Sequence, residues 1–530
     1  MIDAVGTRSI VDLLDDRVAA APQQIGLVAE SAGGVVIPLT YAQIDDLSRK
    51  AATGLLGIGV GPGDRVLVHL SNCSEMLVIW FALARIGAIL VPSNTANTAR
   101  EIGHIARTAD VRLGVCRPDG VELLEAADAD RLARDRLVSV AGAVPGCVEF
   151  AALVTEPRLE GASAASAGDI AELVFTSGTT SAPKAAMITH ANCLHSGLQK
   201  AAAMGITDRD RLLSALPLFH VNAQSAFFAA LVAGATFVTV ETYSAARYCT
   251  QLVDHGATVT SFVSTQVRTL LRQPPDESHR AHRVDRAWFA LDISEAECDE
   301  FEQRFGIRLL NGYGLTEAFT SVCQTPLHSA RRWPTVGLPL LGRQLRVIAP
   351  DGSEAPNGTP GEIVVGGVQG RTLMAGYWND PEATARAVRD GWLYTGDVGA
   401  IDEAGYLQFV GRKADMIKRA GENIAAAEVE GVLLAHPEVT EAAVVGVPDP
   451  IRDEEVVAFV SIRSGSTLAI SELEQYARQH LAAFKVPTRW SLRGELPKTS
   501  IGKTNKRVLR AEASDDDGLL TADEHRRVTS

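Results

Sequence analysis

Four short segments hold residues whose types and spacing suit the handling of a nucleotide. The first, LVFTSGTTSAPKAAMITH (173–190), runs from an apolar stretch into Thr176, Ser177, Gly178, Thr179 and Thr180, then Pro183 and Lys184. Small residues let successive backbone N–H groups turn towards one anion, hydroxyls add donors, and the lysine adds a point charge. Such a run is a phosphate cradle. It differs from the P-loop pattern, GxxxxGK[ST]: Pro183 replaces the second glycine, and Ala185 replaces the hydroxyl that would hold Mg²⁺. An ordinary P-loop NTPase is therefore disfavoured. The second segment is NGYGLTEA (311–318). Gly312 and Gly314 admit close approach of a ligand. Tyr313 offers a flat face, Thr316 a hydroxyl, and Glu317 a hard oxygen for Mg²⁺. Read alone, the Thr-Glu pair also suits a helix cap. In the third segment, Asp397 follows Thr395 and Gly396 in what reads as a tight turn, placed to accept hydrogen bonds from two ribose hydroxyls. Arg412 follows fifteen residues later. The fourth, LPKTSIGKTNKRVLR (496–510), carries Lys503 between Gly502 and Thr504; alone, that lysine reads equally as a solvated loop charge.

The elements that must position these residues follow from hydropathy. Short apolar runs at 65–70, 88–91, 172–175, 211–215, 236–240, 259–263 and 308–310 read as buried strands. Helical stretches at 75–85, 191–203 and 295–305 separate several of them. Runs apolar on both faces, alternating with helices, imply parallel sheets covered on both sides. The glycines of GIGVGPGD (57–64) do not make GxGxxG and precede a strand, so they read as a turn. From about 335 to 411 the texture becomes antiparallel β, with strands at 344–348, 362–365 and 406–410 and turn signals between them. Beyond Arg412 an α+β pattern begins, with helices near 426–434 and 471–484 and strands near 442–445 and 456–462.

Composition narrows the function classes. Hydrophobic residues are 46% and charged residues 22% of 530, which places the chain among globular proteins. Net charge is −14 and the pI about 5.4, which disfavours nucleic acid as a main partner. The seven cysteines form no CxxC pair, so they are expected to be reduced thiols in a cytoplasmic protein. No signal peptide is legible at the start. The most apolar stretch, 76–91, is interrupted by Arg85 and is shorter than the roughly 20 residues of a membrane span. Only nine of the 50 basic residues are lysines, so those that persist, several of them after 412, hint at positions that need a point charge.

The four segments, in this order, resemble the adenylate-forming superfamily of acyl- and aryl-CoA synthetases over about 10–510. SFVSTQVRTLLRQPP (261–275), SEAE (294–297), RRWPTVG (331–337) and MIKRAGEN (416–423) are similar to the bacterial crotonobetaine/carnitine CoA-ligase subgroup. The resemblance implies an α/β fold. A large N-terminal domain (1–411) would contain two βα subdomains and a β-barrel-like subdomain at about 335–411. A small mobile α+β domain would follow at 412–512, then an acidic tail at 513–530 expected to be disordered. The implied chemistry joins a carboxylic acid to AMP with loss of pyrophosphate, then passes the acyl group to coenzyme A. Mg²⁺ and ATP would be required. Residue by residue, Thr176, Ser177, Gly178, Thr179, Thr180 and Lys184 would hold the pyrophosphate end. Asn311, Gly312, Tyr313 and Gly314 would flank adenine, Thr316 would touch phosphate, and Glu317 would bind Mg²⁺. Asp397 and Arg412 would hold ribose, and Lys418 and Asn423 would approach the nucleotide. Lys503, with Thr176 and Glu317, would serve catalysis. His220, Val221, Asn222, Ser264 and Gly314 would border the acyl pocket, and Gly421 would line the CoA tunnel.

The chain departs from the family pattern at Ser181, Ala185, Ala414 and the adenine-flanking Ala290-Leu291-Asp292. No motif names the acid. A bulky or specialised-metabolite acid is expected, with crotonobetaine or carnitine, or loading of a separate carrier protein, as alternatives. Expected partners are the acid, ATP and CoA, without membrane, with a homodimer left open.

Overall fold

The computed structural model describes residues 5–161, 163–176, 183–290, 293–419, 422–449, 453–499, 503–514 and 519. Two compact units emerge. One comprises 1–178, 182–345 and 364–394; the other comprises 179–181, 346–363 and 395–530. The second unit thus starts before Arg412, where the sequence pattern places a boundary, and also takes in residues 346–363.

The first unit is built on two sheets of the expected βα type. In one, the described strands lie in the order Leu338–Pro339, Thr320–Gln324, Arg308–Leu315, Arg286–Ala290, Val259–Val263, Arg211–Ser214, Thr236–Val240, Ile25–Glu30, Val36–Thr40. The pairings from Arg308–Leu315 across to Ile25–Glu30 are parallel. Both edges are antiparallel. The core against this sheet includes Phe262, Phe289, Phe301 and Phe305, all buried. The other sheet runs Gly376–Tyr377, Lys184–Thr189, Ile170–Thr176, Ile89–Pro92, Arg65–His69, Leu113–Cys116, Leu137–Ser139, Val148–Glu149.

The cradle segment departs from the all-parallel expectation. Ile170–Thr176 and Lys184–Thr189 are antiparallel neighbours, with Thr176 opposite Lys184. The connection between them is far shorter than the dozen or more residues a parallel crossover requires, so the chain turns straight back. Helix His190–Met204 follows at once. Thr189 caps it with a reciprocal bond to Asn192, and Gly205, at φ +60°, ends it. Helix Val221–Ala233 packs on it closely: a Cβ at Gly197 would meet the Phe228 carbonyl oxygen at 2.7 Å.

The antiparallel region is less self-contained than its sequence suggests. Gln344–Ile348, Gly361–Gly366, Trp392–Ile401, Val388–Arg389 and Leu407–Arg412 share a sheet. Leu338–Pro339 and Gly376–Tyr377, however, extend the two larger sheets. In the second unit, Met416–Arg419, Glu422–Ala425, Val439–Asp449, Asp453–Ile462 and Arg489–Arg493 form one sheet. Helices Ala426–Leu434 and Ile470–His480 pack on it through Val429, Leu433, Leu473 and Trp490. The second helix ends four residues before the expected 484. Helix Lys506–Ser514 runs two residues past 512, where the tail was expected to begin.

Candidate active site

In the first unit, the carboxyl ends of four neighbouring strands carry the predicted nucleotide and acyl residues. His220 follows Arg211–Ser214, Ser264 follows Val259–Val263, Ala290 ends Arg286–Ala290, and 311–317 closes Arg308–Leu315. Ligands of parallel α/β sheets bind at such ends because loops and helix starts converge there.

Asn311 is buried, and its amide donates to Thr335 O at 3.3 Å. Its Oδ1 is buried without a partner among the described residues. An orphaned acceptor fits the exocyclic amine of adenine, which must donate. Tyr313 is also buried, opposite Cys323. The glycines also admit close packing of the protein against itself. A Cβ at Gly314 would lie 2.1 Å from Thr320 O, and one at Gly312 would lie 2.7 Å from Trp288 Nε1. On the side a Cβ would occupy, the chain's own strand and indole fill the space.

Thr316–Ala318 form a single 3-10 turn rather than a helix start. Its carboxylate, Glu317, accepts a hydrogen bond from the Tyr377 hydroxyl at 2.8 Å, and its carbonyl accepts from Met374 N at 2.8 Å. The ring of Tyr377 also lies 5.2 Å from Lys184 Nζ. One tyrosine thereby touches both the candidate metal carboxylate and the cradle lysine. The buried Arg343 guanidinium fastens the neighbourhood, donating to the carbonyls of Ser321, Ala318 and Thr372. A hard carboxylate oriented by a neighbouring donor fits Mg²⁺.

At the cradle, the half-buried Thr176 sets its hydroxyl 3.4 Å from Lys184 O. Ser177, Gly178, Thr179 and Thr180 lie outside the described residues, as do Ser181, Leu291, Asp292 and Gly421. Ala185 is buried against the sheet core, so the absence of a hydroxyl there is a packing matter. On the strand leading to the cradle, Glu172 is fully buried, and burial pushes its carboxyl up to about 8. One of its oxygens accepts from Gln224 Nε2 at 2.9 Å.

The acyl-pocket residues cluster at a helix start. His220 is the N-cap of Val221–Ala233, its Nδ1 accepting from Asn222 N at 3.4 Å. Val221 and Asn222 are buried, while Ser264, half-buried, begins Ser264–Leu271.

The second unit assembles Asp397, Arg412 and Lys503. Asp397 does not sit in a turn: strand Trp392–Ile401 runs through it, with Gly396 at φ +70° kinking the chain without ending the strand. Asp397 is buried and pairs with Arg412, Nε to Oδ1 at 3.3 Å, across the antiparallel register. Lys503 is exposed over its length, and its carbonyl accepts from Thr499 N at 2.6 Å. Burial of its charged end and repulsion from Arg412 hold its ammonium below lysine's ordinary range, against the pull of Asp397. Lys418 stands opposite Asn423 in a strand pair, their side chains outside the description. Beside Ala414, Lys413 pairs with Glu362 at 3.1 Å and Asp415 with Arg510 at 3.3 Å.

Comparison with known proteins settles the family. A profile of the AMP-binding enzymes matches residues 14–378, and one for the AMP-binding enzyme C-terminal domain matches 428–503. The chain belongs to the adenylate-forming AMP-binding enzymes. It is 37% identical to crotonobetaine/carnitine–CoA ligase of Escherichia coli O8 over 517 residues, which cover 96% of this chain and all of the relative. The homologue in Shigella sonnei matches equally. Among solved structures, ATP-bound MatB from Rhodopseudomonas palustris superposes with a TM-score of 0.85 at 29% identity, covering 96% of this chain and 99% of that one. The o-succinylbenzoate CoA synthetase of Bacillus subtilis, bound to its acyl-adenylate, gives 0.83 at 26%, covering 95% and 98%. This adenylate-forming chain is an acid–thiol ligase of the acyl-CoA synthetase type. No helix among its described residues is long and apolar enough to cross a membrane.

Two side chains in contact with predicted site residues escaped the motif reading. Tyr377 sits in AGYWND, far from Lys184 and Glu317 in sequence, and only the Gly376–Tyr377 strand pairing brings it to them. Lys200 is buried beneath Asn222; its one sequence signal was the scarcity of lysine.

Proposed function

We propose that this ligase activates a carboxylic acid as its acyl-adenylate and transfers the acyl group to coenzyme A. The observations that carry this are the contact of Tyr377 with both Glu317 and Lys184, and the orphaned acceptor of the buried Asn311.

A carboxylate is a poor electrophile, and joining it to AMP supplies a leaving group. Attack on the α-phosphate spreads negative charge over phosphate oxygens, so positioned cations and donors lower the barrier. In this scheme Lys184 and the Thr176 hydroxyl face the departing pyrophosphate. Asn311 accepts from the adenine amine. Asp397, paired with Arg412, accepts from the ribose hydroxyls. Lys503 bridges the acid's carboxylate and the α-phosphate. Glu317 would hold Mg²⁺, which supplies charge neutralisation of the phosphates when bound. Gly421 lines the path of the CoA pantetheine, where a side chain would intrude. Thr316, Gly312, Tyr313, Lys418 and the cradle residues 177–180 complete the nucleotide contacts. His220, Val221, Asn222, Ser264 and Gly314 border the acid.

The test is a mass-spectrometric screen of a mixed carboxylic-acid library with Mg-ATP, with and without CoA. A thioester that appears only with CoA supports the proposal and names the acid. Acyl-AMP that never passes to CoA moves the acceptor to a carrier protein. Absence of both products refutes it. The 37% identity favours a second reading for the acid, crotonobetaine or carnitine, over a bulky specialised-metabolite acid.

A further inference from the structure

His104 touches both ends of the cradle segment, and no motif places it there. It lies on helix Ala99–Ala109, 79 residues before Pro183. Its Nε2 meets Pro183 O at 3.1 Å. A carbonyl oxygen only accepts, so Nε2 carries a proton and donates it, in the neutral ring and in the imidazolium alike. At the other end the imidazole stands edge-on to the ring of Phe175, with centroids 6.2 Å apart and planes at 79°. Phe175 directly precedes Thr176, and Pro183 directly precedes Lys184. The helix that carries His104 is itself well held. Thr98 and Glu101 cap it reciprocally, and Ile102, Ile105 and Ala106 are buried.

Backbone geometry makes this contact consequential. A proline ring holds φ at about −65°, so the torsion left free at Pro183 is ψ. That torsion sets the plane of the peptide joining Pro183 to Lys184. The peptide is trans, so its C=O and N–H point to opposite sides. Holding the carbonyl towards His104 therefore fixes the plane from which Lys184 leaves. The strand ladder does not do this work, because pairing with Ile170–Thr176 begins only at Lys184, opposite Thr176. Pro183 itself is exposed. Lysine's stem is long and flexible, and its ammonium can serve one anion only if the root of that stem is fixed. Here the far end lies 5.2 Å from the Tyr377 ring, and His104 fastens the near end.

We propose that His104 is a positioning residue for the phosphates of ATP: by holding the Pro183 carbonyl it sets the backbone from which Lys184 reaches them. It acts through Lys184, touches neither acid nor CoA, and tunes the affinity for ATP. This rests on the ligase function and the cradle role of Lys184 proposed above.

The experiment combines acid-dependent ATP–pyrophosphate exchange, using the acid that the library screen names, with equilibrium binding of Mg-ATP to the full chain. His104→Ala removes one neutral hydrogen bond and should weaken ATP, in KM and in binding, by about three- to tenfold, with KM for the acid unchanged. Alanine favours a helix, so the variant is expected to fold. His104→Phe keeps the ring edge and loses the donor; it should match His104→Ala and carries the test where that variant does not fold. His104→Gln restores an N–H and should return ATP affinity to within about twofold of the wild type. Because His104 acts through Lys184, adding His104→Ala to Lys184→Met should change ATP binding by less than about twofold. Unchanged ATP affinity in the folded His104 variants overturns the proposal and leaves the ligase function standing. So does an equal rise in KM for ATP and acid, a His104→Gln no better than His104→Ala, or a full His104→Ala effect on top of Lys184→Met. Exchange with no acid at all overturns the ligase function, and this proposal with it.

Discussion

Replacing Tyr377 by phenylalanine removes one oxygen and, with it, one hydrogen bond. The lost bond runs from the hydroxyl to Glu317 Oε1 at 2.8 Å. Burial and the Glu317 charge push the phenol well above its ordinary range, so it remains a donor at any working pH. The ring stays, and with it the 5.2 Å contact with Lys184 Nζ. A hydrogen bond to a charged acceptor contributes about 1.5–3 kcal/mol. Outer-shell partners of metal ligands typically change metal affinity by about 10–100-fold. We therefore expect Tyr377→Phe to raise the Mg²⁺ concentration needed for half-maximal acyl-AMP formation by about 10–100-fold. KM for the acid should not change. The kinetic assay is pyrophosphate exchange over a Mg²⁺ titration at fixed ATP. Binding of Mn²⁺ with ATP, followed by electron paramagnetic resonance, gives a readout independent of turnover and should weaken in parallel. Tyr377→Leu removes the ring as well, and should weaken ATP binding by a further factor of a few, in line with the roughly 0.5–2 kcal/mol of a cation–π contact. If the Tyr377→Phe metal titration overlays that of the wild type in both assays, the orienting role of Tyr377 is wrong.

Three further outcomes are expected. Lys503→Ala should lower acyl-AMP formation by about 10²–10³ or more yet spare thioester formation from supplied acyl-AMP, and equal loss of both steps would remove its assigned role. Gly421→Leu should do the reverse, blocking CoA attack while acyl-AMP accumulates, as single-turnover kinetics would show. Glu172 has an ordinary carboxyl in the unfolded chain, at 4.5, and one near 8 when folded. Because the folded state binds its proton more tightly, stability falls as pH rises from the lower value to the higher and is level outside that window. The slope is at most about 1.4 kcal/mol per pH unit. Glu172→Gln should flatten this decline in denaturant titrations of the full chain at several pH values, and parallel profiles for the two proteins would refute the assignment.

Much of this protein is legible in its residue order, because the relevant physics is local. Strands 236–240 and 259–263 and helix 295–305 are read to the residue, since an apolar run bounded by Gly or a Ser cap leaves little choice. The family is legible too, because cradle, adenine loop, ribose carboxylate and loop lysine each keep their residue types in a fixed order. What the sequence hid depends on contacts between distant segments. Strand Ile170–Thr176 pairs backwards with Lys184–Thr189, against the parallel expectation, because loop length overrides the apolar pattern. Gly312 and Gly314 read as room for a ligand, and the sequence did not show that a Cβ at either would also strike Trp288 or Thr320. Asp397 reads as a turn residue, but Gly396 lets the strand continue through it.

The residue types and their order alone thus determined the family and the reaction class, and with them which side chains are proposed to hold the nucleotide. Only tertiary structure decided how those side chains are oriented. Tyr377 reaches Glu317 and Lys184 through a two-residue strand at a sheet edge, and Lys200 meets Asn222 and Ser225 because two helices pack closely enough to bury its side chain between them. Orientation of this kind arises from burial: once water is excluded, every donor must find an acceptor, and the acceptors come from whichever segments the fold has brought alongside.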